Sequence, residues 1–332
     1  MVEEFCRFAL NSAALTERAK KLRHELSACI GKLDTGQLLS SRDTLGDVGV
    51  GKTVDKQLER HSLKDCFTAG CKRLTEALRT LAEVTSAIGE PERSVAETLE
   101  KLRFEAYALE KDIVLFSEPA EKFKRVGLYV IISSNLPADI ISLAQKCVTG
   151  GADCIQLRAK DISDAKLFAV AVEFVKVCKA DGVISVVNDR VDVAVASGAD
   201  GVHFGQNDLP VEQVRRLQLA PLIIGKSTHS PEQLHAACGE YPTYVSLGPV
   251  FPTVTKPTAE PVGLDYVRQA TKQLAGTGIA NVAIGGITVD NVEEVLEAGA
   301  DAIAVCSAIT QAKDPTSVCR TLKNKITGSR AV

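Results

Sequence analysis

The chain has 332 residues and a formal net charge of -3, with 45% hydrophobic and 24% charged residues. This is the composition of an ordinary globular protein with room for two domains. The acidic balance argues against a nucleic-acid-binding protein, and the apolar runs are too short to span a membrane.

Residues 1–116 have a helical rhythm and predict a small all-α domain. Apolar residues recur at three- and four-residue steps between Phe5 and Leu22, and two further amphipathic segments follow at about 66–86 and 91–115. Residues 117–125, which contain a proline and several charges, are predicted to be a linker.

Residues 46–53, with the sequence GDVGVGKT, match the letters of a phosphate-binding P-loop. Such a loop must follow a buried strand, and residues 38–45 are polar and irregular. We therefore expect no nucleotide site in this segment.

From residue 126 onward, short apolar runs alternate with helical segments, such as those predicted at 137–149, 163–180 and 289–298. Runs without polar alternation are typical of parallel strands that are covered on both faces. The eight runs are residues 128–132, 154–157, 184–187, 201–204, 222–224, 244–247, 281–284 and 302–305. Residues 126–327 are thus predicted to form a (β/α)₈ TIM barrel behind the smaller all-α domain, with an open doubly wound sheet as the alternative.

The 10 cysteines are scattered along the chain. The pair Cys66 and Cys71 lacks the spacing of a zinc or redox motif. All the cysteines are best explained as buried, reduced thiols. Because thiols stay reduced in the cytoplasm, we expect a cytoplasmic protein.

Polar residues cluster where the predicted strands end, which is where the active sites of such barrels lie. Arg158, Lys160 and Lys256 would place three cations at one mouth. Asp189 and Asp208 at the same rim are poor partners for a polyanion unless a divalent metal bridges them, so we predict a site for Mg²⁺ and a diphosphate. In the alternative reading, Asp189 caps the next helix and the cations pair with the aspartates.

A second anion site is predicted from Gly285-Gly286 and Ser307, which follow the seventh and eighth strands. Loops at these positions often hold a phosphate with backbone N–H groups. Two anion sites that face one pocket imply two small phosphorylated substrates.

With these residues in place, the sequence resembles thiamine-phosphate synthase over about residues 126–326. The matching strings follow the strand ends in order and are QLRAK (156–160), VNDR (187–190), GVHFGQND (201–208), GKSTH (225–229), GPVFPTVTKP (248–257), AIGGI (283–287) and CSAI (306–309). More loosely, residues 4–8, 42–47 and 76–79 resemble the helical domain that precedes the synthase in some bacterial fused forms.

The resemblance implies that hydroxymethylpyrimidine diphosphate and thiazole phosphate are joined, with release of pyrophosphate. The C–O bond to diphosphate would break early, leaving a pyrimidine-methyl cation that the thiazole nitrogen captures. Asp189 and Asp208 would hold Mg²⁺. The pyrimidine diphosphate would be bound by Gln156, Arg158, Lys160, Asn188, Ser227 and Lys256, and the thiazole phosphate by Thr253, Thr255, Gly286 and Ser307. Among these, Arg158, Lys160, Ser227 and Lys256 are the expected catalytic residues, while His203 and His229 are expected to be structural.

Two departures from the family pattern, Cys306 and residues 258–260, are not expected to touch a proposed ligand. Two other functions stay open, a thiazole tautomerase or regulator on the same barrel and a non-catalytic sensor of thiamin phosphate. For the helical domain the alternatives are regulation, assembly into a homo-oligomer and an additional pyrimidine-handling activity.

Overall fold

The computed structural model describes residues 1–10, 12–52, 59–89, 93–217, 221–253, 255 and 259–330. Within it the chain divides into two compact units, Met1–Val114 and Leu115–Val332. Each unit is described separately below.

The first unit is helical, as predicted. Its elements are α1 (Val2–Glu4), a π-helical turn (Phe5–Ala9), α2 (Ala13–Ile30), α3 (Thr35–Ser40), α4 (Leu63–Ile88) and the first part of α5 (Arg93–Phe123). Side-chain oxygens of Ser12 and Ser62 accept backbone N–H bonds and so cap α2 and α4. Leu78, Leu99 and Leu102 lie in the apolar core that these helices bury.

The P-loop-like segment is not preceded by a strand among the described residues. The chain before it forms α3 and then turns. Asp43 and Asp47 accept the backbone N–H groups of Gly46 and Gly49, both at 2.8 Å. Two of the three glycine N–H groups in this segment are therefore engaged by aspartates, while Thr53 lies outside the described residues.

The predicted linker at 117–125 is wrong in its conformation, because α5 continues through Pro119 to Phe123. Phe116 and Phe123 are both buried and stand seven residues apart, so they extend one apolar face of the helix. The burial of this face outweighs the single proline, and the boundary between the two units falls inside α5.

The second unit is a closed barrel of eight parallel strands in chain order. The strands are β1 (Leu128–Ser133), β2 (Cys154–Arg158), β3 (Ile184–Asn188), β4 (Gly201–Phe204), β5 (Ile223–Thr228), β6 (Tyr244–Leu247), β7 (Ala280–Ile284) and β8 (Ala302–Val305). The helices are α6 (Pro137–Thr149), α7 (Asp164–Ala180), α8 (Val191–Ser197), α9 (Val211–Leu217), α10 (Pro231–Glu240), α11 (Gly263–Leu274), α12 (Val292–Glu297), α13 (Ser307–Thr310) and α14 (Pro315–Arg330).

Pairing between the first and last strands closes the barrel, with Leu128 opposite Ile303 and Val130 opposite Val305. This confirms the predicted fold and excludes the open sheet. The predicted strands are all present, although β5 extends to Thr228, four residues beyond its predicted end at 224.

Alternate residues of each strand face two different layers. Leu128, Val130 and Ile132 of β1 pack outward against the helices, whereas Tyr129 and Ile131 point into the barrel. Both layers are apolar, which explains why these strands show no polar alternation in the sequence. Among the described residues, no helix is long and apolar enough to cross a membrane.

Candidate active site

Two adjoining cavities open at the C-terminal ends of the strands. The first, here called the inner cavity, is lined by Tyr129, Gln156, Arg158, Asn188, His203, Ser227, His229, Tyr244, Thr253, Thr255, Gly286, Cys306 and Ser307, among others. The second, the outer cavity, is lined by Arg158, Lys160, Asn188, Asp189, His203, Gly205, Gln206, Asn207, Asp208, Ser227, His229 and Gln233. The shared residues Arg158, Asn188, His203, Ser227 and His229 make the two cavities neighbours.

Every predicted site residue that the structure describes lines one of these cavities. The predicted thiazole-phosphate residues all lie in the inner cavity, and the two aspartates and Lys160 lie in the outer one. Lys256, predicted to be a third cation, lies outside the described residues. Of the residues predicted to bind the pyrimidine diphosphate, Gln156 lines only the inner cavity, while Arg158, Asn188 and Ser227 line both.

The backbone at the end of β3 turns Asp189 into the outer cavity. Asp189 has a positive φ of 62°, a conformation that few residues other than glycine, asparagine and aspartate adopt readily. Its N–H donates to the carbonyl oxygen of His203 at 2.9 Å, which ties this turn to β4. Asp189 does not cap the next helix, whose N-cap residue is Arg190.

The side chains of Asp189 and Asp208 lie within hydrogen-bonding reach of each other. Partial burial and the neighbouring Asp208 raise the pKa of Asp189, although Lys160 and Arg158 act in the opposite direction. The Lys160 Nζ atom is 3.9 Å from an Asp189 carboxylate oxygen, so one contact of the alternative reading is present. Asp208 also accepts the backbone N–H of Gly205 at 2.6 Å.

The paired carboxylates lead to a prediction about stability. In the metal-free protein at pH 7, Asp189→Asn should raise the free energy of unfolding by about 0.5–1 kcal/mol, because asparagine tolerates the positive φ and carries no charge. The folded-state pKa of Asp189 is raised, so ionising it costs more in the folded protein than in the unfolded chain. The difference should therefore shrink as the pH falls through the raised pKa and vanish below the ordinary value of 3.8.

Urea unfolding followed by circular dichroism measures this difference. Asp161→Asn is a matched control, since Asp161 is exposed at the same rim and bonded to Asn135. A loss of stability in Asp189→Asn at pH 7 without metal would show that Asp189 is held by its cationic neighbours and not strained by Asp208.

The floor of the inner cavity contains residues that the sequence analysis missed as site residues. Tyr129 and Tyr244 are buried inside the barrel and line the cavity, with their hydroxyl oxygens 2.8 Å apart. They lie in the predicted strands 128–132 and 244–247, before the strand ends where site residues were sought. A buried tyrosine needs a hydrogen-bond partner for its hydroxyl group, and this requirement is the sequence signal that could have indicated a polar site inside the barrel.

His203 and His229, expected to be structural, line both cavities. His203 lies 2.9 Å from Ser227 Oγ through Nε2 and 2.9 Å from the Tyr244 hydroxyl through Nδ1. His229 Nδ1 donates to the carbonyl oxygen of Gly248. Both imidazoles are thus fixed in orientation beside the proposed substrate residues.

The structure places Cys306, one of the two departures from the family pattern, beside the predicted site residues. Cys306 lines the inner cavity and its thiol is hydrogen-bonded to Thr255, a proposed phosphate residue. Burial raises the pKa of this thiol, so it stays neutral at pH 7. Alternate residues of a strand share one face, and Ala302 and Ala304 face the inside of the barrel. Cys306, two residues after Ala304, therefore also points inside.

The glycines predicted for the second anion site have positive φ angles, 100° for Gly285 and 66° for Gly286. A Cβ atom on Gly286 would lie 2.6 Å from both Phe251 Cβ and the Pro252 carbonyl oxygen. The close approach of the β6 and β7 loops thus requires glycine here. Its backbone borders the inner cavity beside Ser307.

Comparison with known proteins finds one family match for each part of the chain and relatives that cover almost all of it. The thiamine monophosphate synthase family (TMP-TENI) matches residues 128–309, and the ThiD2 family matches residues 1–112. Thiamine-phosphate synthase from Nostoc punctiforme is 35% identical over 98% of this chain and 89% of its own length. The enzyme from Thermosynechococcus vestitus is 34% identical over 98% of this chain and 90% of its own.

A solved structure agrees with these sequence matches. Thiamine phosphate pyrophosphorylase from Pyrococcus furiosus is 32% identical, covers 63% of this chain and 98% of its own, and superposes with a TM-score of 0.58. The activity is that of a transferase, which condenses hydroxymethylpyrimidine diphosphate with thiazole phosphate to give thiamine phosphate and pyrophosphate. The chain belongs to the thiamine-phosphate synthase family, with a ThiD2 domain ahead of the barrel.

Proposed function

We propose that the outer cavity binds the diphosphate of the pyrimidine substrate together with Mg²⁺, and that the inner cavity holds the pyrimidine and thiazole rings and the thiazole phosphate. The observation that supports this most strongly is the contact between the two carboxylates, Asp189 and Asp208, beside Arg158 and Lys160. A cluster of two acids and two cations is arranged for a metal and a polyanion together.

The residues fit a divalent cation. Asp208 raises the cost of ionising Asp189, and a cation between the two carboxylates would lower that cost. Mg²⁺ is commonly held by one or two carboxylates, with substrate phosphates and water completing its coordination.

Bound Mg²⁺ would neutralise charge on the diphosphate and so make it a better leaving group. Arg158 and Lys160 would add hydrogen bonds to the same oxygens, which strengthen as the leaving group gains charge. The bond between the pyrimidine methylene carbon and the diphosphate oxygen breaks, and its electron pair leaves with pyrophosphate. The lone pair of the thiazole nitrogen then forms the new C–N bond.

No general base is needed for this step, because the thiazole nitrogen carries no proton. The protein's own contribution is to hold the two substrates in line and to keep water away from the pyrimidine-methyl cation. Ser227 and Asn188 line both cavities and would contact the pyrimidine diphosphate between them. Thr253, Thr255, Gly286 and Ser307 would hold the thiazole phosphate.

Binding of the separate anions tests the proposed division. In isothermal titration calorimetry, pyrophosphate should bind the protein tightly only when Mg²⁺ is present, whereas thiazole phosphate should bind with or without the metal. Asp161→Asn serves as the rim control and should behave as the parent. Equal dependence of the binding of both ligands on Mg²⁺ would contradict two separate anion sites.

The cytoplasmic location of the protein and its assembly into a homo-oligomer stay predictions.

A further inference from the structure

A chain of side-chain hydrogen bonds crosses the floor of the inner cavity. It runs from Gln156 Nε2 to the Tyr129 hydroxyl at 2.9 Å, on to the Tyr244 hydroxyl at 2.8 Å, to His203 Nδ1 at 2.9 Å, and from His203 Nε2 to Ser227 Oγ at 2.9 Å. Five different strands contribute its members. Its two ends, Gln156 and Ser227, are both proposed substrate residues that line the inner cavity.

The donor at Gln156 favours one direction for this hydrogen-bonded chain. The Gln156 amide donates to Tyr129, and only a Tyr129 hydroxyl that donates to Tyr244 then has an acceptor within the chain for its own proton. Tyr244 in turn donates to His203 Nδ1, so the imidazole is neutral and carries its proton on Nε2. That proton is donated to Ser227 Oγ, which leaves the hydroxyl proton of Ser227 available to a ligand.

The opposite direction would have a different chemical result. If Tyr129 donated to the amide oxygen of Gln156, every proton in the chain would reverse, and Ser227 would have to donate to His203. Ser227 could then only accept a hydrogen bond from a ligand. Phosphate oxygens accept and do not donate, so only the first direction suits the binding of a diphosphate.

We propose that Tyr129, Tyr244 and His203 are positioning residues that hold the Ser227 hydroxyl as a hydrogen-bond donor toward the diphosphate. This inference rests on the proposed role of Ser227 in binding the pyrimidine diphosphate. The three residues act through Ser227.

The packing around Tyr244 keeps the hydrogen-bonded side chains in place. The Tyr244 ring stacks on Phe123 with centroids 4.3 Å apart and on His203 with centroids 5.5 Å apart. A Cβ atom on Gly225 would lie 2.2 Å from Tyr244 Cζ and 2.5 Å from His203 Nδ1. Burial raises the pKa of Tyr129 and Tyr244, so both hydroxyls keep their protons.

Tyr244→Phe tests the proposal, since it removes the hydroxyl and keeps the ring that stacks on Phe123. We expect kcat for thiamine phosphate to fall about five- to tenfold, the effect of one lost neutral hydrogen bond. The KM for thiazole phosphate should not change. Tyr266→Phe is the matched control, because the Tyr266 hydroxyl lies 2.9 Å from Thr228 Oγ1 and 3.0 Å from the Ser230 carbonyl oxygen and lines neither cavity.

The tautomer of His203 gives a second result that does not depend on turnover. In ¹⁵N-labelled protein without substrate, His203 should carry its proton on Nε2, and Tyr244→Phe should populate both neutral tautomers. His203→Asn identifies the signal. If Tyr244→Phe does not fold, Tyr129→Phe breaks the chain one bond earlier and should shift the tautomer in the same sense.

A proton on Nδ1 in the unmodified protein would overturn the proposal, and so would an unchanged tautomer in the folded tyrosine variants. Loss of kcat to the same extent in Tyr266→Phe would also overturn it, because the effect would then be one of general stability. Pyrophosphate binding that does not require Mg²⁺ would instead count against the proposed function and leave the tautomer result intact.

Discussion

Asp208→Asn should reduce Mg²⁺-dependent formation of thiamine phosphate by about 10²–10³-fold, a loss of about 3–4 kcal/mol of transition-state stabilisation. Asparagine has the shape of aspartate and an oxygen that can still accept the backbone N–H of Gly205. The substitution thus removes the charge while keeping the loop contact. With Asp189 alone, the outer cavity would hold one carboxylate beside Arg158 and Lys160.

Two measurements make this result specific to the metal. The Mg²⁺ concentration for half-maximal turnover should rise, and the dissociation constant for thiazole phosphate should stay within about twofold of the parent, since Asp208 does not line the inner cavity. Asp161→Asn at the same rim should retain full activity. An equal loss of thiazole phosphate binding in Asp208→Asn would mean that one site holds both anions.

Arg158→Ala should lower kcat/KM by about 10²–10³-fold for both substrates. Arg158 lines the inner and the outer cavity, and its charge acts on both Asp189 and Cys306. A charge-assisted hydrogen bond contributes about 1.5–3 kcal/mol, and two such bonds from the guanidinium to the departing diphosphate would account for this loss, which lowers kcat and so kcat/KM for either substrate. The guanidinium also donates to Ser133 Oγ at 2.9 Å, which fixes its position at the end of β1.

Arg158→Lys separates charge from geometry. Lysine keeps the charge but lacks the planar fork that binds two phosphate oxygens, so an intermediate loss of about tenfold is expected. Arg268→Ala is the control, since Arg268 lies on α11 in an exposed pair with Asp265. Steady-state kinetics with each substrate varied in turn measures the effect. A rise in KM for the pyrimidine diphosphate with kcat unchanged would contradict a role for Arg158 in stabilising the departing diphosphate.

The sequence predicted the barrel well because every strand is covered on both faces. Residues such as Val130 and Ile131 are both buried, one against the helices and one inside the barrel, and such runs stand out from amphipathic helices. The site was predictable for a related reason. In a closed parallel barrel all strands end at one rim, so residues as distant as Arg158 and Ser307 must meet.

Two features could not be read from the sequence. The end of α5 was predicted to be a linker, because Pro119 and its charged neighbours resemble one, and only the buried stacking of Phe123 on Tyr244 shows why the helix continues. The hydrogen-bonded chain through Tyr129 and His203 joins residues far apart in sequence, and its order depends on the strand register.

The most direct test is to mix the protein with hydroxymethylpyrimidine diphosphate, thiazole phosphate and Mg²⁺ and to follow thiamine phosphate over time, with a chelator in a parallel reaction. We predict product that requires the metal, appears together with an equal amount of pyrophosphate, and is nearly abolished in Asp208→Asn. Bound substrates without product would contradict this account and would make the barrel a sensor. Product that forms equally well with the chelator would contradict the proposed role of Asp189 and Asp208.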